Sequence, residues 1–120
     1  MRDITEAFRA LSNGTRLRII NLLLERECCV CHVMEVLDIT EPRASRNLSI
    51  LYDAGFLKRR RQGLWAWYSI DKECLKGRYY ADLIEAVKKA LERNETASLD
   101  RRRLKSVERA GLRCASKVLG

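Results

Sequence analysis

The chain has 120 residues, with 24 Lys and Arg against 16 Asp and Glu and a formal charge of +8. That is one domain with a core, small enough to gain from oligomerisation, and basic enough to favour an anionic partner such as nucleic acid or an acidic membrane surface. No apolar run approaches the roughly 18 residues of a spanning helix, and "MRDITEAFRALSN" lacks the apolar core of a secretory signal. Five cysteines, an odd number, fit a disulfide framework poorly. The expectation is a cytoplasmic protein with reduced thiols and no membrane partner.

Ile4, Phe8 and Leu11 recur at i, i+4, i+7 and predict a short amphipathic helix. Asn13-Gly14 ends it, and Thr15 is placed to cap "RLRIINLLLERE", where Leu17, Ile20, Leu23 and Leu24 form one face broadened by Ile19 and Leu22. "CHVMEVLDI" predicts a third helix with Val33, Val36 and Leu37 inward. Thr40 is an N-cap, Glu41 suits the positive end of the dipole, and Pro42 costs little in a first turn. The helix they open buries Ala44, Leu48 and Leu51 and stops at Gly55. "FLKRRRQGLWAWYSID" then changes period to two, with a Gln-Gly turn between the halves of a hairpin. "GRYYADLIEAVKKALERN" returns to helical spacing, "ETASL" predicts a break, and "DRRRLKSVERAGLRCASKVL" a last helix weakened by Gly111.

Two short helices, a tight polar turn and a basic hairpin predict a mainly α fold with a β-hairpin wing (α+β), a winged helix-turn-helix. The expected organisation is a winged helix-turn-helix domain over 1–95, with dimerisation helices at both ends, and a basic helical extension over 96–120. A major groove admits one helix, whose N-terminal side chains reach base edges. Here those are Arg43, Ser45, Arg46 and Asn47, with Arg suited to guanine and Asn to adenine. Lys58, Arg59, Arg60, Arg61, Gln62 and Gly63 form the wing, suited to phosphates or the minor groove. Between Glu41 and Gly63 six basic residues face two acidic ones, half of the surplus charge in under a fifth of the chain. A run of cations alone is commonly a solvated face; joined to the helix-turn-helix it reads as a contact to double-stranded DNA. One recognition helix reads few base pairs, so a homodimer is expected on half-sites about one helical turn apart.

"FRALSNGTRLRIINLL", "CVCHVMEVL", "EPRASRNLSILYDAGFL" and "RRQGLWAWYSI" together resemble the ArsR/SmtB family of metalloid- and metal-responsive repressors, in order over roughly residues 4–70. The resemblance implies a homodimeric winged-helix repressor that releases operator DNA when its effector binds. The Cys-Val-Cys at Cys29–Cys31 is similar to the arsenic-sensing branch, which implies As(III) or Sb(III) as effector. That branch often has a third Cys where this chain has Met34, and Cys28 is an additional thiol that either completes the trio or fills an apolar position. Asn47 stands where the family commonly has His, and a single His, His32, leaves the family's zinc-type site without ligands.

Thiolates select soft ions, so Cys28, Cys29 and Cys31 suit As(III) or Sb(III), with Cd(II) or Pb(II) as competitors. On a regular helix Cys29 and Cys31 would lie about 160° apart and could not share one ion. Either the segment is a loop before the helix or binding unwinds its first turn. Cys74 and Cys114 read as inert, with a distant third ligand from either left open, and His32 as a solvent-facing or capping side chain. Two other readings stay open: oxidation of the same thiols in a redox-responsive repressor, and, more remotely, a thiol oxidoreductase, which would want a βαβ unit that is not visible. No enzyme is expected.

Overall fold

The computed structural model describes residues 2–73 and 79–109. In chain order it forms α1 (Arg2–Leu11), α2 (Gly14–Glu25), β1 (Cys28–Cys29), α3 (Val30–Leu37), α4 (Glu41–Asp53), β2 (Leu57–Gln62), β3 (Trp65–Ile70), α5 (Tyr80–Leu91) and α6 (Glu95–Arg109). Helix α2 is the spine. It packs on α1, α3, α4, α5, α6 and β3, which is why Ile19, Ile20, Leu22 and Leu23 are all buried. Its cap is Asn13, not Thr15. Asn13 is extended and its side chain accepts from the Arg16 N–H at 3.0 Å, so Thr15 falls inside the first turn.

The helix-turn-helix follows from local chemistry. Asp38 ends α3 in the left-handed region (φ 54°), and both its own N–H and that of Ile39 return to the Met34 carbonyl. Thr40 caps α4, with Pro42 in the first turn, and Ala44, Leu48 and Leu51 are buried as their spacing predicts. At the far end Gly55 takes φ 96°, and the Phe56 and Gly55 N–H groups donate to the Leu51 and Tyr52 carbonyls. This pair of bonds is a Schellman stop. It delivers Phe56 to the core and starts β2.

The hairpin turns at Gly63 (φ 64°) and Leu64, a Gly-first two-residue turn. Its sheet has a third member. The order is β1–β3–β2, all antiparallel, with Cys28 opposite Tyr68 and Cys29 opposite Trp67. The first thiols therefore sit in a strand of the wing's own sheet.

Three sequence expectations shift. In α1 the side facing the core is Ala7, Ala10 and Leu11, while Phe8 is 54% exposed, because small residues let α1 approach α2 and α4 closely. In α5, Ile84 and Val87 carry the buried side. The break expected at "ETASL" lies earlier: the chain turns at 92–94, Asn94 caps α6 by accepting from the Ala97 N–H at 3.0 Å, and "ETASL" is the opening of the helix. Cys74, and Gly111 and Cys114 in the tail, lie outside the described residues.

Helix α6 packs on α2 and α3, burying Ala97, Asp100 and Leu104. Asp100 is 1% exposed and holds Arg18 by two bonds of 2.7 and 3.0 Å, which raises the Arg18 pKa. Beside it the Asn21 amide donates to the Ala97 carbonyl and accepts from Arg101. Removing one partner of a buried pair strands the other, at about 3–5 kcal/mol. Since the Arg18 side chain is 31% exposed, water recovers part of this. Asp100→Ala is therefore expected to lower unfolding stability by about 3 kcal/mol, at the low end of that range, as measured by urea denaturation. A loss below about 1 kcal/mol, the value of a surface pair, would mean that α6 is not bound to the core through Asp100.

Candidate nucleic-acid interface and thiol site

The first exposed turns of α4 divide the four expected base readers into two pairs. Arg43 and Arg46 are exposed and carry no side-chain bond among the described residues. The Ser45 hydroxyl donates to Glu41 at 2.7 Å, and the Asn47 amide lies between Arg16 and the Arg43 carbonyl. On the wing, Lys58, Arg59, Arg60, Arg61, Gln62 and Gly63 are all exposed. Arg59 lies 4.2 Å over the Tyr52 ring, and the neighbouring Tyr68 raises its pKa. Arg60 grips Glu27 with bonds of 2.8 and 2.7 Å, reaches Gln62 at 3.0 Å and lies 5.3 Å over Trp67. The bond to Glu27 raises its pKa too. Lys58 and Arg61 carry no such bonds among the described residues and are the wing's uncommitted cations.

Cys29 is extended (φ −77°, ψ 158°) and serves as the N-cap of α3, while Cys31 is the second residue of its first turn. This bend removes the obstacle a regular helix would pose. The two sulfurs come to 3.4 Å, well beyond the ~2.05 Å of a disulfide. Both are buried, and Trp65 and Trp67 of β3 close over them as a separate small cluster. The Cys29 N–H donates to His32 Nδ1 at 3.1 Å, and the His32 ring meets Trp67 edge-on at 5.3 Å. His32 is thus a buried capping side chain and not a solvent-facing one.

Cys28 goes elsewhere. Successive strand residues face opposite ways, so Cys28 enters the main core, with its thiol 3.6 Å from the Arg26 carbonyl. Antiparallel partners share a face, which gives two rungs: Cys29, Trp67 and Arg60 on one side, Cys28, Tyr68 and Arg59 on the other. The structure brings Cys29 and Cys31 together and does not bring Cys28 to them. Met34 packs against the main core as well. No group of three His, Cys, Asp or Glu suited to a metal occurs among the described residues. Sequence reasoning missed Glu27, whose partner Arg60 is distant in sequence, and the Trp roof, which the strand alternation alone signalled.

Residues 13–59 match the family described as "Bacterial regulatory protein, arsR family". A cadmium resistance transcriptional regulatory protein CadC homolog from Staphylococcus aureus is 37% identical over 98 residues, covering 81% of this chain and 75% of that protein. The chain belongs to the ArsR family. An arsenical resistance operon repressor from Bacillus subtilis is 32% identical over 78 residues, 64% of this chain and 74% of that one. Among solved structures, a homodimeric winged helix-turn-helix DNA-binding domain from Mycobacterium bovis, a possible ArsR-family transcriptional regulator, superposes with a TM-score of 0.62. It is 28% identical and covers 78% of this chain and 82% of its own.

Family and fold are those of DNA-binding transcriptional repressors, and the winged helix-turn-helix expected from the sequence is the fold observed. The ArsR-family match spans α2 through the start of β2 and so includes both the thiol pair and α4. No helix among the described residues is long and apolar enough to cross a membrane. The Trp roof is fastened by the Glu27–Arg60 pair, whose side chains are 33% and 50% exposed. Such a pair is worth about 0.2–1 kcal/mol. Glu27→Gln is therefore expected to speed iodoacetamide labelling of Cys29 and Cys31 by up to about fivefold, read by mass spectrometry, with Cys28 labelling unchanged. Equal acceleration at all three thiols would mean that the pair stabilises the whole sheet and not the roof.

Proposed function

We propose that the protein is a homodimeric repressor that binds double-stranded operator DNA through α4 and the wing. It releases the DNA when a thiophilic ion, As(III) or Sb(III), binds Cys29 and Cys31. The observation that carries this reading is the buried thiol pair, 3.4 Å apart, lying under the wing's own tryptophans. Two thiolate–metal bonds of about 2.3 Å each can span up to about 4.6 Å, so one soft ion fits between these sulfurs without forcing them apart. Thiolates are also the ligands that thiophilic ions prefer over imidazole or carboxylate.

On DNA, Arg43 and Arg46 reach base edges from the start of α4, and Lys58 and Arg61 meet phosphates. Ile4 and the exposed Phe8 of α1, with α5, offer the outer surface for the second copy. Release follows from burial. An ion reaches Cys29 and Cys31 only when Trp65 and Trp67 move, and those residues lie on β3, paired along its length to the cation-bearing β2. The wing is thereby taken out of its DNA register. Cys28 joins as a third sulfur only if β1 unpairs from β3, because the strand turns it to the other face.

Two neighbouring readings share this site. The name of the Staphylococcus aureus relative points to cadmium, and two sulfurs in contact are also the pair that peroxide oxidises to a disulfide. A gel shift on the DNA upstream of the protein's own gene, titrated separately with arsenite, antimonite, cadmium and peroxide, separates them. Release is expected at lower arsenite or antimonite than cadmium, and Cys29→Ser or Cys31→Ser is expected to hold DNA where the parent lets go. Release by cadmium or peroxide alone would replace the metalloid with that effector. The interface itself has a further signature. Arg61→Ala is expected to reduce the salt slope of DNA affinity by about 1. Arg60→Ala should change it less, because Arg60 already neutralises Glu27. Equal changes would show that Arg60 leaves Glu27 on DNA.

A further inference from the structure

Arg16 makes three side-chain bonds to two different helices. Its Nε donates to the Ala10 carbonyl at 2.6 Å and its Nη2 to the Arg9 carbonyl at 3.3 Å. Those carbonyls lie at the negative C-terminal end of the α1 dipole, and the Arg9 carbonyl also accepts from the Ser12 N–H at 3.3 Å and the Ser12 hydroxyl at 3.1 Å. The third bond runs from Nη1 to Asn47 Oδ1 at 3.0 Å, across to the recognition helix. Asn47 completes the arrangement by donating from Nδ2 to the Arg43 carbonyl at 2.9 Å.

The orientation of the Asn47 amide is fixed by chemistry. A guanidinium has donors and no acceptor, so the atom facing Arg16 must be the amide oxygen. The nitrogen then faces a carbonyl, which only accepts. Reading adenine in a bidentate way would need both atoms of that amide turned to the base. Asn47 would have to break both bonds and leave a half-buried guanidinium donor without its acceptor. Arg43 and Arg46 carry no such commitment.

We propose that Arg16 is a positioning residue of the DNA reader. It fixes α4 to the C-terminal end of α1 through Asn47, and Asn47 is its anchor and not a base reader. One cation thereby sets the angle between the helix whose outer face carries Phe8 and the helix that enters the groove. This inference rests on DNA binding by α4, as proposed above.

The test is affinity for the upstream operator and for a panel of its single base-pair substitutions, measured for the parent, Arg16→Ala, Arg16→Lys, Asn47→Ala and the double Ala variant. Arg16→Ala and Asn47→Ala are each expected to weaken binding about tenfold, the size of one charge-assisted hydrogen bond. The loss should be the same on every operator in the panel. The double variant should be no weaker than the weaker single, since each single already removes the Arg16–Asn47 bond that joins α1 to α4, and Arg16→Lys should recover part of the loss. Base-specific relaxation at one A·T pair in Asn47→Ala would make Asn47 a reader and overturn the proposal. So would additive losses, or no loss in either variant. Should Arg16→Ala fail to fold by circular dichroism, the Asn47→Ala profile decides alone: uniform loss supports anchoring, and base-specific or absent loss overturns it. A parent protein that binds none of the panel would instead refute DNA recognition by α4.

Discussion

The pairing of two residues, Cys28 and Cys29, onto β3 is the constraint on which the site depends. A strand of two residues adds little stability of its own. It does settle three matters at once. It sends one thiol to the main core and the other to the buried cluster under Trp65 and Trp67, it makes Cys29 extended so that α3 begins at Val30, and it joins the thiol segment to the sheet that carries the wing. A loop at this position would leave the spacing of the sulfurs loose and their connection to DNA indirect.

Around that bridge the molecule is rigid where it needs to be. Helix α2 is buried on most sides, and α6 braces both it and α3 through Asp100, Ala97 and Leu104. Helix α3, which leads into α4, is therefore packed between β3 and α6 as well as against α4. The thinner element is the wing, whose fastening to the thiol segment is the two-residue pairing of β1 with β3, the half-exposed Glu27–Arg60 pair and the contact of two Trp rings. Weak, partly solvated contacts are where local opening concentrates. Signal transmission through the wing asks less of the fold than bending α3 does.

Much of this was legible in the sequence because it was local. Thr40, Pro42 and Gly55 bound α4 by capping chemistry that acts over a few residues, and Ala44, Leu48 and Leu51 keep one helical face. What escaped was set by distant partners. Cys28 stands next to Cys29 in the chain yet faces away from it, and only strand pairing with Tyr68 and Trp67 decides that. Asn47 has the right residue type and place for adenine, but Arg16 on another helix already holds its oxygen. In α1 the periodic residues Ile4 and Phe8 mark an outward face, while Ala7 and Ala10 join Leu11 to make the inward one. "ETASL" reads as a break in sequence, and Asn94 before it is the cap that makes it a beginning.

If the thiol pair and the wing are one mechanical unit, ion binding and DNA binding must oppose each other by the same factor in both directions. The direct measurement is the arsenite affinity of the free protein and of the DNA-bound protein, followed by the Trp65 and Trp67 emission, set beside DNA affinity with and without saturating arsenite. The account predicts that DNA weakens arsenite binding by the same factor by which arsenite weakens DNA binding. Arsenite affinity that is identical with and without DNA would contradict it.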